Sequence, residues 1–343
     1  MADDEEKSFP DDYFQFDKED LKSILKGFPN QVKLAYSKEI KVEFEGNIDK
    51  VIITGMGGSA IAGDILKTYL EKLTDTPIIV NRNYDLPESA DKNTLVVVSS
   101  YSGNTEETIS AYKDALRKYC KILVITSGGR IAEMALSNRN QKISLPMGLQ
   151  PRAALAYSFF PILKTMAKLR IIENPDAAVD RLAKALDKKI FEQTGLQLSE
   201  KLHEKVLLIY SSEMFSPVSY RWKTQFNENS KTMAFNNVFS ELNHNELASL
   251  ENMNADFHCI ILRTDMDPHR IVKRMEITKD IYRKKGIDVT DIKIKGENFL
   301  TKLFSGIFMG DWTSYYLALR YHTDPTPVKN IENFKKELGA FIS

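Results

Sequence analysis

Between residues 50 and 146, short β-branched runs alternate with stretches of helical period, and this alternation constrains the fold more than any other feature of the chain. The runs are Lys50-Val-Ile-Ile-Thr-Gly, Thr76-Pro-Ile-Ile-Val, Thr94-Leu-Val-Val-Val-Ser-Ser, Cys120-Lys-Ile-Leu-Val-Ile-Thr and a weaker Gln141-Lys-Ile-Ser-Leu-Pro. A strand that is apolar at every position must be covered on both faces, as it is inside a parallel sheet flanked by helices. Five such strands in about 100 residues predict a flavodoxin-like, doubly wound domain, whose ligands sit beyond the carboxyl ends of its strands.

After a strand-free stretch the arrangement resumes at Lys205-Val-Leu-Leu-Ile-Tyr-Ser-Ser, Met233-Ala-Phe-Asn-Asn-Val, Phe257-His-Cys-Ile-Ile-Leu-Arg and Val289-Thr-Asp-Ile-Lys-Ile. A chain of 343 residues suits two domains of ordinary size. The expectation is therefore an α/β protein of two flavodoxin-like domains with doubly wound, mainly parallel five-stranded sheets, a helical bridge and C-terminal helices. The boundaries read as a tail and helices over 1–40, a first domain with its ligand loops over 41–150, a bridge over 151–200, a second domain over 201–323 and a tail helix over 324–343. Residues 1 to about 15 read as a frayed tail, followed by two helices over 18–37 broken at Pro29 and Asn30 and lying outside the first domain. Further helices are expected over 152–169, 176–198, 298–321 and 331–341.

Charge and cysteine usage narrow the function. Lys plus Arg and Asp plus Glu both count 47, so there is no global attraction to polyanions and nucleic acid is excluded as the main partner. The two cysteines, Cys120 and Cys259, lie beside apolar runs, which fits a reducing cytoplasm rather than a disulfide scaffold. No apolar run has the length of a membrane span, and the N-terminus is acidic where a signal peptide is basic and then apolar; a cytoplasmic protein with no membrane partner is expected. His203, His244, His258, His269 and His322 show no paired metal-ligand spacing, so no metal is expected.

Two loops stand where a ligand is expected. Gly55-Met-Gly-Gly-Ser-Ala follows the first strand, where Gly57 and Gly58 let the backbone approach a ligand beside Ser59. The loop approximates a dinucleotide pattern, but Val80-Asn81-Arg82 at the end of the next strand lacks the acidic residue that holds an NAD ribose. Arg82 could accept a 2′-phosphate, which keeps an NADP-dependent oxidoreductase open as a rival. After the third strand, Ser100, Ser102 and Thr105 place three hydroxyls around Gly103, with Asn104 expected to cap the next helix against Glu107. Hydroxyls, a permissive glycine and free amides at the positive end of a helix make a site for a compact dianion. The plain alternative is a well-capped helix with incidental serines.

The stretch from Arg221 to Glu246 is apolar enough to be buried, yet it carries Glu228 and His244 among several asparagines. A carboxylate and an imidazole in a partly desolvated, amide-rich setting are the parts needed to move protons near pH 7. The plain alternative is an ion pair of Glu228 with Lys223 or Lys231 and a histidine that caps or packs a helix.

The run from Ser100 to Thr108 resembles the phosphosugar-binding loop of the sugar isomerase (SIS) superfamily. More narrowly, Gly55-Met-Gly-Gly-Ser-Ala, Pro151-Arg152-Ala-Ala-Leu, Asn227-Glu228-Asn, Glu241-Leu-Asn-His244-Asn-Glu and Asp324-Pro-Thr-Pro with Ile331-Glu-Asn-Phe-Lys335 resemble the bifunctional phosphoglucose/phosphomannose isomerases. The resemblance covers about residues 20 to 343. It implies an aldose–ketose isomerase of glucose 6-phosphate, and of mannose 6-phosphate, that carries a proton between C2 and C1 through a cis-enediol without metal or nucleotide. By the same resemblance Glu228 is the base, His244 helps open the ring, Lys335, beside Lys336, assists at the ring oxygen, and Arg152 stabilises the enediolate. Gly57, Gly58, Ser59, Ser100, Ser102 and Thr105 hold the 6-phosphate, and Thr326 matches the threonine that makes room for mannose phosphate. The family is homodimeric, with this histidine arriving from the neighbouring subunit, and the resemblance implies the same for His244 here. A non-enzymatic SIS module that binds a sugar phosphate and regulates another protein remains the second alternative.

Overall fold

The structure, a computed structural model, describes residues 9–339. The first eight residues of the expected tail and the end of the closing helix at Phe341 lie outside the described residues. The chain divides into two compact units. One gathers Gly27–Ala185 and Glu297–Thr301 with the residues from Lys335 on; the other gathers the residues up to Lys26 with Leu186–Gly296 and Lys302–Phe334.

Helix α1 (Leu21–Lys26) belongs to the second unit, and the first unit begins with α2 (Phe28–Ser37). The break between them falls at Gly27, because Pro29 sits in the first turn of α2, where its missing N–H costs nothing. Then follow β1 (Lys50–Thr54), α3 (Gly57–Leu70), β2 (Ile78–Asn81), β3 (Thr94–Ser99), α4 (Glu106–Arg117), β4 (Lys121–Thr126), α5 (Gly129–Ser137) and β5 (Gln141–Ser144). The five strands are all parallel in the order β2-β1-β3-β4-β5, with Val51 opposite both Ile78 and Leu95. Alternate residues explain the double winding. Ile53 and Val80 face α3, where Gly63 allows close approach, while Ile52, Val96, Val98 and Val124 pack with Ile109 and Tyr112 of α4 and Ile131 of α5. Val51–Ile53 and Leu95–Val98 are fully buried, as their uninterrupted apolar sequence predicts.

A 3-10 turn at Pro151–Ala154 leads into α6 (Leu155–Lys168), followed by α7 (Asp176–Leu186). The helix expected over 176–198 is in fact two. It breaks at Asp187-Lys188-Lys189, three charged residues with nothing to bury, and α8 (Ile190–Leu202) begins the main body of the second unit.

The second unit continues with β6 (Val206–Ser211), α9 (Ser216–Glu228), β7 (Ala234–Val238), α10 (Phe239–Leu242), β8 (Phe257–Arg263), α11 (His269–Lys284), β9 (Asp288–Lys293), α12 (Phe299–Arg320) and α13 (Lys329–Leu338). Among the described residues its sheet has four parallel strands in the order β7-β6-β8-β9, not the five expected. The order reproduces the first four places of the other sheet. Phe9, within the expected tail, packs its ring against Tyr13, Phe14 and Tyr316, and residues 11–16 form a 3-10 helix, so the described part of the tail is tied down by aromatic contacts. Among the described residues no helix is long and apolar enough to cross a membrane.

Helix α9 is held against α12. The Trp222 indole donates to the carbonyl of Gly306 at 2.7 Å, and a Cβ on Gly310 would lie 2.4 Å from that indole nitrogen. Arg221 grips Asp311 through two bonds of 3.1 and 2.9 Å, and Gln225 adds a third at 3.0 Å. A buried ion pair contributes little net stability, but breaking it leaves a lone charge, so it penalises any other register of the two helices.

Candidate active site

In the first unit the two ligand loops meet at the carboxyl edge of the sheet. Ser59, in the first turn of α3, accepts the N–H of Tyr101, joining the loop after β1 to the loop after β3. Ser100 donates to Thr105 at 3.2 Å and accepts the N–H of Gly103 at 3.1 Å. Gly103 has φ +70°, and a Cβ there would lie 1.8 Å from the carbonyl oxygen of Gly128, so the loop tolerates only glycine. Ser59 and Ser100 are buried, whereas Ser102 and Gly57 are exposed.

The cap differs from the one expected. Thr105, not Asn104, is the N-cap of α4, and its side chain makes no capping bond; the side-chain oxygen (Oδ1) of Asn104 instead accepts the N–H of Arg130 at the start of α5. Met56, the N-cap of α3, cannot cap either. Two helices thus point first-turn amides that no side chain caps at the same sheet edge, the arrangement that binds a compact anion.

Arg152 joins this edge from the following segment. A Cβ on Gly58 would lie 2.7 Å from the Pro151 carbonyl oxygen and 3.0 Å from the Arg152 Cα, so the 3-10 turn lies directly on the glycine loop. Tyr101 fixes the approach by donating from its hydroxyl to Pro146 at 2.8 Å and accepting the N–H of Leu149 at 3.0 Å. Sequence reasoning missed Tyr101; its one signal is an aromatic residue inside a serine-rich turn.

In the second unit Glu228 is the last residue of α9 and is half-buried. Just past it Lys231, at φ +55°, turns its ammonium onto the carbonyls of Glu228 (2.7 Å), Asn229 (3.1 Å) and Pro325 (3.0 Å). A cation is favoured at the negative end of a helix, and this one also ties that end to the segment carrying Thr326. Asn229 and Ser230 bond Ser314 of α12, and the buried Thr326 gives its N–H to Asp324. A cavity of about 420 Å³ is lined here by Asn227, Glu228, Lys231, Asp324, Val328 and Ile331.

The stretch from Arg221 to Glu246 does not fold into one pocket. Glu228 ends the helix that precedes β7 and so lies at the amino edge of the second sheet, while His244 lies in the turn after α10, beyond the carboxyl end of β7. His244 is exposed. Lys335 and Lys336 lie in the last turn of α13, and both are exposed. Arg82, the candidate for a 2′-phosphate, is engaged by the Asp64 carboxylate of α3 through both terminal nitrogens.

Residues 47–144 match the SIS domain model, and residues 191–338 match the model of the bacterial phospho-glucose isomerase C-terminal SIS domain. A bifunctional phosphoglucose/phosphomannose isomerase from Caldicellulosiruptor bescii is 44% identical over 91% of this chain and 96% of its own. One from Thermoplasma volcanium is 37% identical over 90% and 96%. Among solved structures, a putative phosphosugar isomerase from Clostridium difficile superposes with a TM-score of 0.72 at 19% identity, covering 96% of this chain and 98% of its own, which bears on the fold alone.

Proposed function

The chain belongs to the family of bifunctional phosphoglucose/phosphomannose isomerases, and from that premise we propose that it interconverts glucose 6-phosphate and mannose 6-phosphate with fructose 6-phosphate. Ser59, Ser100, Ser102 and Thr105, with the amides of Gly57 and Gly58, hold the 6-phosphate. Binding energy from this non-reacting group positions the reacting carbons. Glu228 moves the proton between C2 and C1, His244 and Lys335 serve ring opening, and Arg152 meets the charge of the enediolate as a permanent cation. Thr326 leaves room for the second epimer.

The observation that carries the reading is Glu228 on the wall of an open cavity, at a helix end fixed by Lys231 and Ser314. A coupled assay of fructose 6-phosphate formation from each sugar phosphate, in chelator, tests it. Glu228→Gln is expected to lose a factor of about 10² to 10⁴ in kcat, or roughly 3 kcal/mol or more of transition-state stabilisation. A variant as active as the parent removes Glu228 from the reaction.

The active form is a homodimer in which His244 serves the neighbouring chain's site. What supports this is the separation of Glu228 from His244 within one chain by the length of β7, roughly 13 Å at about 3.3 Å per residue, more than a hexose ring spans. Mixing Glu228→Ala with His244→Ala chains is expected to restore partial activity; no rescue on mixing overturns the shared site.

A further inference from the structure

The turn that carries His244 is pinned on both sides. Before it, Asn243 donates to Thr278 of α11 at 2.9 Å and accepts from Arg274. Two residues after it, Glu246 opens a 3-10 helix and reaches back to the sheet. One carboxylate oxygen accepts the Tyr210 hydroxyl of β6; the other accepts the Asn237 amide of β7 at 2.5 Å. The Tyr210 hydroxyl also lies 3.3 Å from that of Tyr282 on α11, and both rings are buried. Burial, then the nearby Tyr282 and the bond to Glu246, push the Tyr210 hydroxyl far above its ordinary range, so it remains a donor at every working pH. Between these anchors His244 is exposed, and its backbone N–H donates to the Glu241 carbonyl.

We propose that Glu246, held by Tyr210 and Asn237, is the positioning residue that sets where the His244 imidazole stands for ring opening. The inference rests on the assignment of His244 to that step. Ring opening takes the proton from the anomeric hydroxyl, breaks the C1–O5 bond and delivers a proton to O5; an imidazole moves one of these protons only from within hydrogen-bond reach, about 2.6–3.2 Å. An apolar residue at 246 could fill the same space. Only a group accepting two bonds in set directions, one from each of two adjacent strands, fixes the turn against sliding along the sheet edge. The carboxylate also lines a cavity of about 340 Å³ with Tyr210, Tyr282, Leu208, Phe257 and Ile287.

Exchange between the α and β anomers of glucose 6-phosphate, followed by two-dimensional exchange NMR on the Glu228→Gln enzyme, reports ring opening without isomerisation. Into that background go His244→Ala, Glu246→Gln and Tyr210→Phe, the last keeping the ring and removing only the donor. The expected result is loss of catalysed exchange in His244→Ala and a fall on the order of 10-fold in the other two, with the Kd for glucose 6-phosphate unchanged within about twofold. If His244→Ala abolishes exchange while Glu246→Gln and Tyr210→Phe leave it intact, or weaken binding and thermal stability in the same proportion as exchange, this inference alone is overturned. If exchange survives His244→Ala, the assignment of His244 falls first and takes this inference with it.

Discussion

The carboxyl edges of the two sheets share a topology and differ in what occupies them. In the first, the loops after β1 and β3 turn hydroxyls and uncapped helix amides toward the space above the strands. In the second, the corresponding loops follow β6 and β8, and there Asp267 accepts the Ser212 hydroxyl at 2.5 Å and the Thr264 N–H at 2.6 Å. At one edge these donors face the space above the strands; at the other a carboxylate of the chain already takes them up. Strand order thus fixes where donors gather, and a single carboxylate decides whether they remain available to a ligand. In the second unit the candidate base accordingly lies at the other edge, at the end of α9.

Four experiments break or sharpen this contrast. The largest effect is expected from paired substitutions, one per carboxylate. Glu228→Gln loses about 10² to 10⁴ in kcat, whereas Asp267→Asn stays within about threefold in the same coupled assay; equal losses would erase the distinction between a reacting carboxylate and a structural one. Next comes Gly103→Ala, whose new methyl meets the Gly128 carbonyl at 1.8 Å. It should cost about 2–4 kcal/mol in chemical denaturation, and an unchanged midpoint would mean that the serine loop yields more easily than its contacts imply. Ser100→Ala removes one hydroxyl from the open edge and should raise KM for the sugar phosphate about tenfold, the worth of one hydrogen bond to a charged group. Ser212→Ala, on the filled edge, should leave KM alone.

The smallest effect is a pH dependence. Burial raises the Asp267 carboxyl above its ordinary 3.8, against the opposing bonds from Ser212 and Thr264. The native state therefore binds the proton more tightly than the unfolded chain, so this contribution to stability is present below pH 3.8 and is lost as pH rises through the folded value. The melting temperature of the parent, measured relative to Asp267→Asn, should decline across that window. A difference that rises with pH would reverse the sign of the burial argument.

Much of the architecture was legible because its signals are local. Short runs rich in apolar and β-branched residues marked the nine described strands, and the turn residues after β1 and β3 marked the two loops that meet at the carboxyl edge of the first sheet. The helix breaks were harder. Gly27 rather than Pro29 separates α1 from α2, and a charged triplet rather than a glycine or proline divides α7 from α8. The first boundary is set by where Pro29 fits in a helix's first turn and the second by residues with nothing to bury, and a periodicity reveals neither.

What the amino-acid sequence determined by itself is the pair of parallel sheets and the serine loop, because alternation, β-branching and glycine geometry act over a few residues. Only the tertiary structure decided that Glu228 and His244, sixteen residues apart in a single apolar stretch, lie at opposite edges of one sheet, that Pro151 and Arg152 rest on Gly58, that Lys231 ties Glu228 to Pro325, and that Asp267 fills the second edge. Each of these depends on chain segments brought together by packing, and the energy that selects such a meeting is spread over the whole core rather than written at either end of the contact.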